Sequence, residues 1–143
     1  MYSLLLYVHI LSAVASIGPF LILFPLLPKM RRATQESLSH YVPMFKYAVR
    51  LCKHAGHVLV ISGALLIWIT HWTWLTSWVV MTLVVMFGSL FFIARAFSPT
   101  LRKIMEPEAD KEALTAKLRL NLILYLILML LMMWFMVAKP ELW

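Results

Sequence analysis

Imidazole is the chemically versatile group in this chain, and its placement is uneven. The five histidines are His9, His40, His54, His57 and His71. His9 stands inside a long apolar run, about a third of the way in from one membrane surface. An ionisable residue at that depth is costly and marks a functional site by default. A neutral imidazole there suits a ligand or proton-transfer role, and the competing structural role is a hydrogen bond to a neighbouring helix. Ser12, Ala13 and Ser16 share its helical face and leave a shallow, slightly polar groove.

His71 is the partner that the pattern offers to His9, on the adjacent span and the same side of the membrane. A helical tilt of about 20° would close part of the difference in depth. Lys139 ends on this side as well. It could pair with an anionic edge of a cofactor, such as a propionate, or snorkel to the headgroups. His54 and His57, one turn apart near the opposite surface, form a second and weaker site with His40; with Lys46, Arg50 and Lys53 they otherwise meet solvent or anionic lipid. From Lys46, a rotation of about 100° per residue sets Arg50, Lys53, His57, Ala64, Trp68 and His71 within roughly 40° of one line. Met129, Met132, Met133 and Met136 share a face of the last span. Thioethers suit Cu(I), although methionine also fills irregular packing. Cys52 is the only cysteine, which leaves neither an internal disulfide nor a cysteine-based metal site.

The elements that must position these groups are membrane helices. Hydrophobic residues make up 63% of the 143, and charged residues only 13%, about half the usual share for a soluble domain. A bilayer core takes roughly 20 apolar residues as helix. Four runs qualify, at approximately 4–27, 56–72, 78–97 and 120–138, the first interrupted by Gly18-Pro19. The first run has a neutral start, Met1-Tyr2-Ser3, and exceeds the apolar core of a signal peptide, so it reads as a retained span. The predicted fold is all-α: a single antiparallel four-helix membrane bundle joined by short loops.

Charge gives the bundle a direction. Twelve of the thirteen Lys and Arg residues lie in 28–53 and 95–119, and only Lys139 lies on the other side. The excess of cations in cytoplasmic loops then sets both basic segments inside and both termini outside. All six tryptophans (Trp68, Trp72, Trp74, Trp78, Trp134 and Trp143) gather near the outer surface as an interfacial belt. In the basic segments, Pro43 is placed to start a helix that runs into the second span, and Pro107 to stand in the first turn of the fourth. Asn121 serves as interhelical glue.

The net charge of +7 does not imply nucleic acid, because the cations lie between apolar runs and build no basic face. No acidic residue lies within a span, which disfavours a carboxylate-driven ion pump. There is no glycine-rich phosphate loop, no Ser-His-Asp set and no zinc pattern.

Three stretches carry a family likeness: His9-Ile-Leu-Ser-Ala-Val-Ala-Ser-Ile-Gly18, Ser62-Gly63-Ala64-Leu65-Leu66 with Trp78 opening the third span, and Phe135-Met136-Val137-Ala138-Lys139-Pro140. The chain resembles small bacterial integral membrane proteins of unknown function. These are similar in pattern to CopD-type membrane domains and HemJ-type protoporphyrinogen oxidases. That resemblance implies His9 as a ligand to haem b. Departures from the oxidase pattern are Ala15 in place of a tryptophan, a glycine one position early, and no arginine between Phe20 and Leu27. The spacing of His57 and His71 also resembles that of two-haem b-type cytochromes.

The expected function is therefore a haem b protein. His9 and His71 would ligate iron and Lys139 would assist. It would carry out electron transfer or oxidation of a membrane-soluble substrate, such as a quinone or porphyrin-like molecule. The alternatives are an accessory or assembly subunit of a larger membrane complex, and a copper or metal transport protein. The expected partners are the lipid bilayer, anionic lipids at the cytoplasmic face, and further copies or a larger complex.

Overall fold

A backbone in hydrocarbon must satisfy its own polar groups, and this chain does so with helices alone. The structure, a computed structural model, describes residues 1–143. It contains α1 (Tyr2–Arg32), α2 (Gln35–Ile69), α3 (Ser77–Ala96), a short α4 (Ser98–Ile104) and α5 (Lys111–Ala138). Of 107 backbone hydrogen bonds, 95 fall within helices, which leaves little to the connections. α3 and α4 follow each other almost without a break, so four segments are long and apolar enough to cross a bilayer. The chain is a multi-pass membrane protein.

The helix boundaries differ from the sequence expectation at three places. Gly18-Pro19 does not interrupt α1, which also contains Pro25 and Pro28. Each proline removes one N–H and frees the carbonyl four residues earlier, a cost that membrane helices tolerate. α2 starts at Gln35, so Pro43 lies inside it. The reason is Thr34, whose side chain accepts from Ser37 N as an N-cap, followed by Glu36 in the positive first turn. α5 starts at Lys111, because Asp110 caps it by accepting from Ala113 N at 3.2 Å. Pro107 therefore belongs to the preceding turn. At 35 residues, α2 is about 52 Å long, against a hydrocarbon core of about 30 Å. Its first turns extend beyond the core at the basic end.

Lipid tails are as apolar as leucine, so interlocking shape rather than water exclusion holds such helices together. The interior is built around aromatic rings. Phe20, fully buried, stacks on Tyr125 with centroids 4.3 Å apart and meets Phe97 at 5.7 Å. Phe45 closes on Phe97 from α2 at 5.9 Å. α1 packs extensively on α2, α3 on α5, and α1 on α5, whereas α2 and α3 touch little.

The hydroxyls inside the spans turn back on their own helices. Ser12 donates to Val8 O, Ser16 to Ala13 O, Ser62 to Val58 O, Thr82 to Trp78 O, Ser89 to Met86 O and Thr115 to Lys111 O, all at 2.7–2.9 Å. This satisfies a polar group in lipid without a partner helix. Two side chains in the spans bond across helices instead: His9 with Ser62, and Asn121, whose amide donates to Ala96 O at 3.1 Å. The second contact bears out the gluing role expected of Asn121.

Each end is tied by its own contacts. At the basic end Lys111 Nζ donates to Ala33 O at 2.7 Å and the Gln35 amide donates to Met105 O. At the end bearing both termini, Ser77 Oγ donates to Pro140 O at 2.8 Å and accepts from Leu142 N at 3.0 Å. Trp143 Nε1 donates to Leu75 O at 3.0 Å. These bonds fold the tail across the turn between α2 and α3.

Candidate functional site

The sparse contact between α2 and α3 leaves a gap, and at the termini end it becomes a cavity of about 380 Å³. All four long helices line it. α1 contributes His9 and Ala13, α2 Gly63 and Ile67, α3 Thr82 and Met86, and α5 Met133 and Met136, with Lys139 just past its end. Eighteen of its 23 lining residues are apolar. A mostly apolar space of this size with a few convergent polar groups is typical of small-molecule sites.

His9 is fixed in that wall by two neighbours on α2. Its Nδ1 lies 2.9 Å from Ser62 Oγ. Ser62 is buried, and its oxygen also stands 2.8 Å from Val58 O and 3.1 Å from Leu59 O. A hydroxyl has one hydrogen. With that hydrogen on the Val58 carbonyl, Ser62 Oγ accepts from His9, which assigns the proton to Nδ1 and leaves the lone pair on Nε2. A second bond that selects the tautomer in this way also orients ligating histidines. On the other side Gly63 admits the ring. A Cβ there would lie 3.0 Å from His9 Cε1 and 3.6 Å from Nδ1. The glycine matters for the approach it permits.

Lys139 occupies the rim. It ends α5 in the left-handed conformation, φ 46°, and its Nζ lies 5.4 Å from the ring centroids of both Trp72 and Trp78. The two indoles meet edge to face, 5.4 Å apart. An ammonium within about 6 Å of an indole is attracted to its face. Trp72 and Trp78 thus do more than sit in an interfacial belt: they hold the one Lys or Arg at this end.

Of the three residues expected at the main site, the structure brings two, His9 and Lys139, to one cavity. His71 is not in its lining. α2 ends at Ile69, and His71 follows in the left-handed conformation, φ 57°, with an exposed side chain. The polar line traced from Lys46 along α2 therefore stops short of it. His54 and His57 have exposed rings 6.3 Å apart on α2, and His40 is exposed nearer the start of that helix. No three His, Cys, Asp or Glu side chains cluster as a metal site. The methionines of α5 divide: Met129 and Met132 are buried in the core, and Met133 and Met136 line the cavity.

Ser12 and Ser16, the polar neighbours suggested for His9 on its own helix, bond their own backbone. Ser62 takes that place. Its signal in the sequence was the pair Ser62-Gly63 in the apolar stretch that follows His57, but the pairing with His9 spans 53 residues and two helices.

The fold and cavity together define a multi-pass helical membrane protein with a histidine-containing, mostly apolar pocket at the end bearing both termini. No family model matches the chain, and no curated protein or solved structure is significantly similar to it.

Proposed function

We propose that the chain is a membrane-embedded haem b protein that transfers electrons to, or oxidises, a membrane-soluble substrate such as a quinone or porphyrin-like molecule. In this reading the four helices form an antiparallel bundle in a bacterial inner membrane. The basic end faces the cytoplasm and both termini face outside, so the cavity opens towards the outer leaflet. The observation that carries the reading is His9: an imidazole in an apolar cavity with Nδ1 engaged by Ser62, which, with the proton on Nδ1, frees the Nε2 lone pair.

The donor set fits the group. His9 would be one ligand to the iron, and Met133 or Met136, which line the same cavity, would offer a thioether as a second. In this reading either would serve where His71 was first expected. Lys139, held over two indoles at the rim, is suited to a propionate. The bound group would supply one-electron chemistry. The chain would orient it, shield it from water with apolar walls, and neutralise its acidic edge. The same imidazole and thioethers favour a second reading, a site for a soft ion such as Cu(I).

The test is the absorption spectrum of the detergent-purified protein from haem-replete, copper-replete cells, oxidised and then reduced, with metal analysis. A Soret band that His9→Ala abolishes supports the haem reading. Met133→Leu and Met136→Leu report the second ligand by shifting the reduced bands. Absence of any Soret band overturns it, and stoichiometric copper lost in His9→Ala would move the assignment to the soft-metal site.

A further inference from the structure

Away from the cavity, the outer surface of α3 carries a groove of about 510 Å³ that continues onto α5. Its floor is exposed Gly88, and Val84, Phe92 and Leu128 flank it. Nothing lies within 4 Å of the position that a Cβ on Gly88 would take, so the floor is open space and not helix contact. At the basic end the groove stops at Arg95, whose guanidinium lies 4.9 Å above the Phe91 ring.

We propose that this groove holds one anionic phospholipid, with an acyl chain along Gly88 and the phosphate on Arg95. Three observations favour this occupant. The apolar channel runs along a helix that spans the bilayer, as an acyl chain does. Its single charged residue stands at the end where twelve of thirteen cations gather, which complements a negative headgroup. Stacking on Phe91 holds the guanidinium in place, and a planar fork binds phosphate with two parallel hydrogen bonds. A second copy of the chain would have to bury Arg95 against its symmetry mate, two cations face to face, so lipid is the better occupant. The proposal is independent of what fills the cavity.

The experiment is native mass spectrometry of the full chain released from detergent, with phosphatidylglycerol or phosphatidylcholine of identical chains titrated in. One retained phosphatidylglycerol per chain is expected, and much less phosphatidylcholine. Arg95→Gln lowers phosphatidylglycerol retention about fivefold, as loss of one interfacial cation predicts, and Arg95→Lys keeps most of it. Gly88→Leu, which the open space accepts without a clash, removes retention of both lipids while helicity by circular dichroism is unchanged. Arg102→Gln, a cation of α4 outside the groove, leaves retention as in the native chain. Equal retention of both lipids would overturn the proposal, as would an Arg102→Gln effect as large as that of Arg95→Gln. So would dimers that disappear in Gly88→Leu, which would make the groove an interface between copies.

Discussion

Replacing Ser62 with alanine tests the hydrogen bond on which the His9 assignment rests, and its predicted cost is set by what each partner loses. The Val58 carbonyl loses little, because as a helix acceptor it keeps the backbone N–H of residue 62. His9 loses the one side-chain partner of its Nδ1. Interhelical hydrogen bonds in membranes average about 0.6 kcal/mol and reach about 1.7, and a buried donor left without a partner costs about 1–3 kcal/mol. Ser62→Ala should therefore destabilise by about 1–2 kcal/mol. His9→Leu behaves differently. It removes the group that needs the bond and leaves Ser62 on its own helix, so its cost stays within about 0.5 kcal/mol. In the double variant the penalty of Ser62→Ala disappears, which gives a coupling of about 1–2 kcal/mol. Reversible unfolding in mixed dodecylmaltoside and dodecyl sulfate micelles, followed by far-UV circular dichroism, measures all four proteins. A Ser62→Ala cost below about 0.3 kcal/mol would refute the reasoning. So would a His9→Leu cost larger than that of Ser62→Ala, which would make His9 a packing residue and remove the basis for the proton on Nδ1.

Two further outcomes are expected. Gly63→Ala presses a methyl to 3.0 Å from His9 Cε1. The strain of about 1–3 kcal/mol exceeds the helix gain of about 0.5–1, so it destabilises in the native background and stabilises when combined with His9→Ala, by the same unfolding assay. Asn121→Leu removes the amide that holds Ala96 O across the α3–α5 contact and costs about 1 kcal/mol; hydrogen exchange should accelerate at the end of α3 and not at its start.

The four spans were legible because bilayer thickness imposes a length that a hydropathy count can find, and each apolar run falls on an observed helix, the second overrunning α2 by three residues and the third overrunning α3 by one. The ends were less so. Thr34 and Asp110 are polar residues in polar segments, and only their caps, 3.3 Å to Ser37 N and 3.2 Å to Ala113 N, distinguish them from their neighbours. Pro43 and Pro107, which looked like the stronger signals, start nothing. For the site, the depth of His9 in an apolar run was visible, as was Lys139 on the same side. The expectation for His71 relied on extrapolating one helical line through Thr70, and a single left-handed residue defeats such a line. The cavity depends on which pair of helices fails to pack, and that follows from the sum of all the side-chain shapes.

The habit of the hydroxyls, each bonded to its own helix, has a consequence for how the chain is made. Such helices can enter the bilayer one at a time, since, apart from Ser77 at the surface end of α3, none carries a hydroxyl that waits for another segment. α1 is the exception. His9 emerges from the ribosome 53 residues before Ser62, a delay of about 3–10 s at ordinary rates of synthesis. For that interval the imidazole must stay near water at the membrane surface or be held by the insertion machinery. The contact that orients the site therefore forms only when α2 arrives, and the first helix completes its packing later still, when α5 brings Tyr125 onto Phe20.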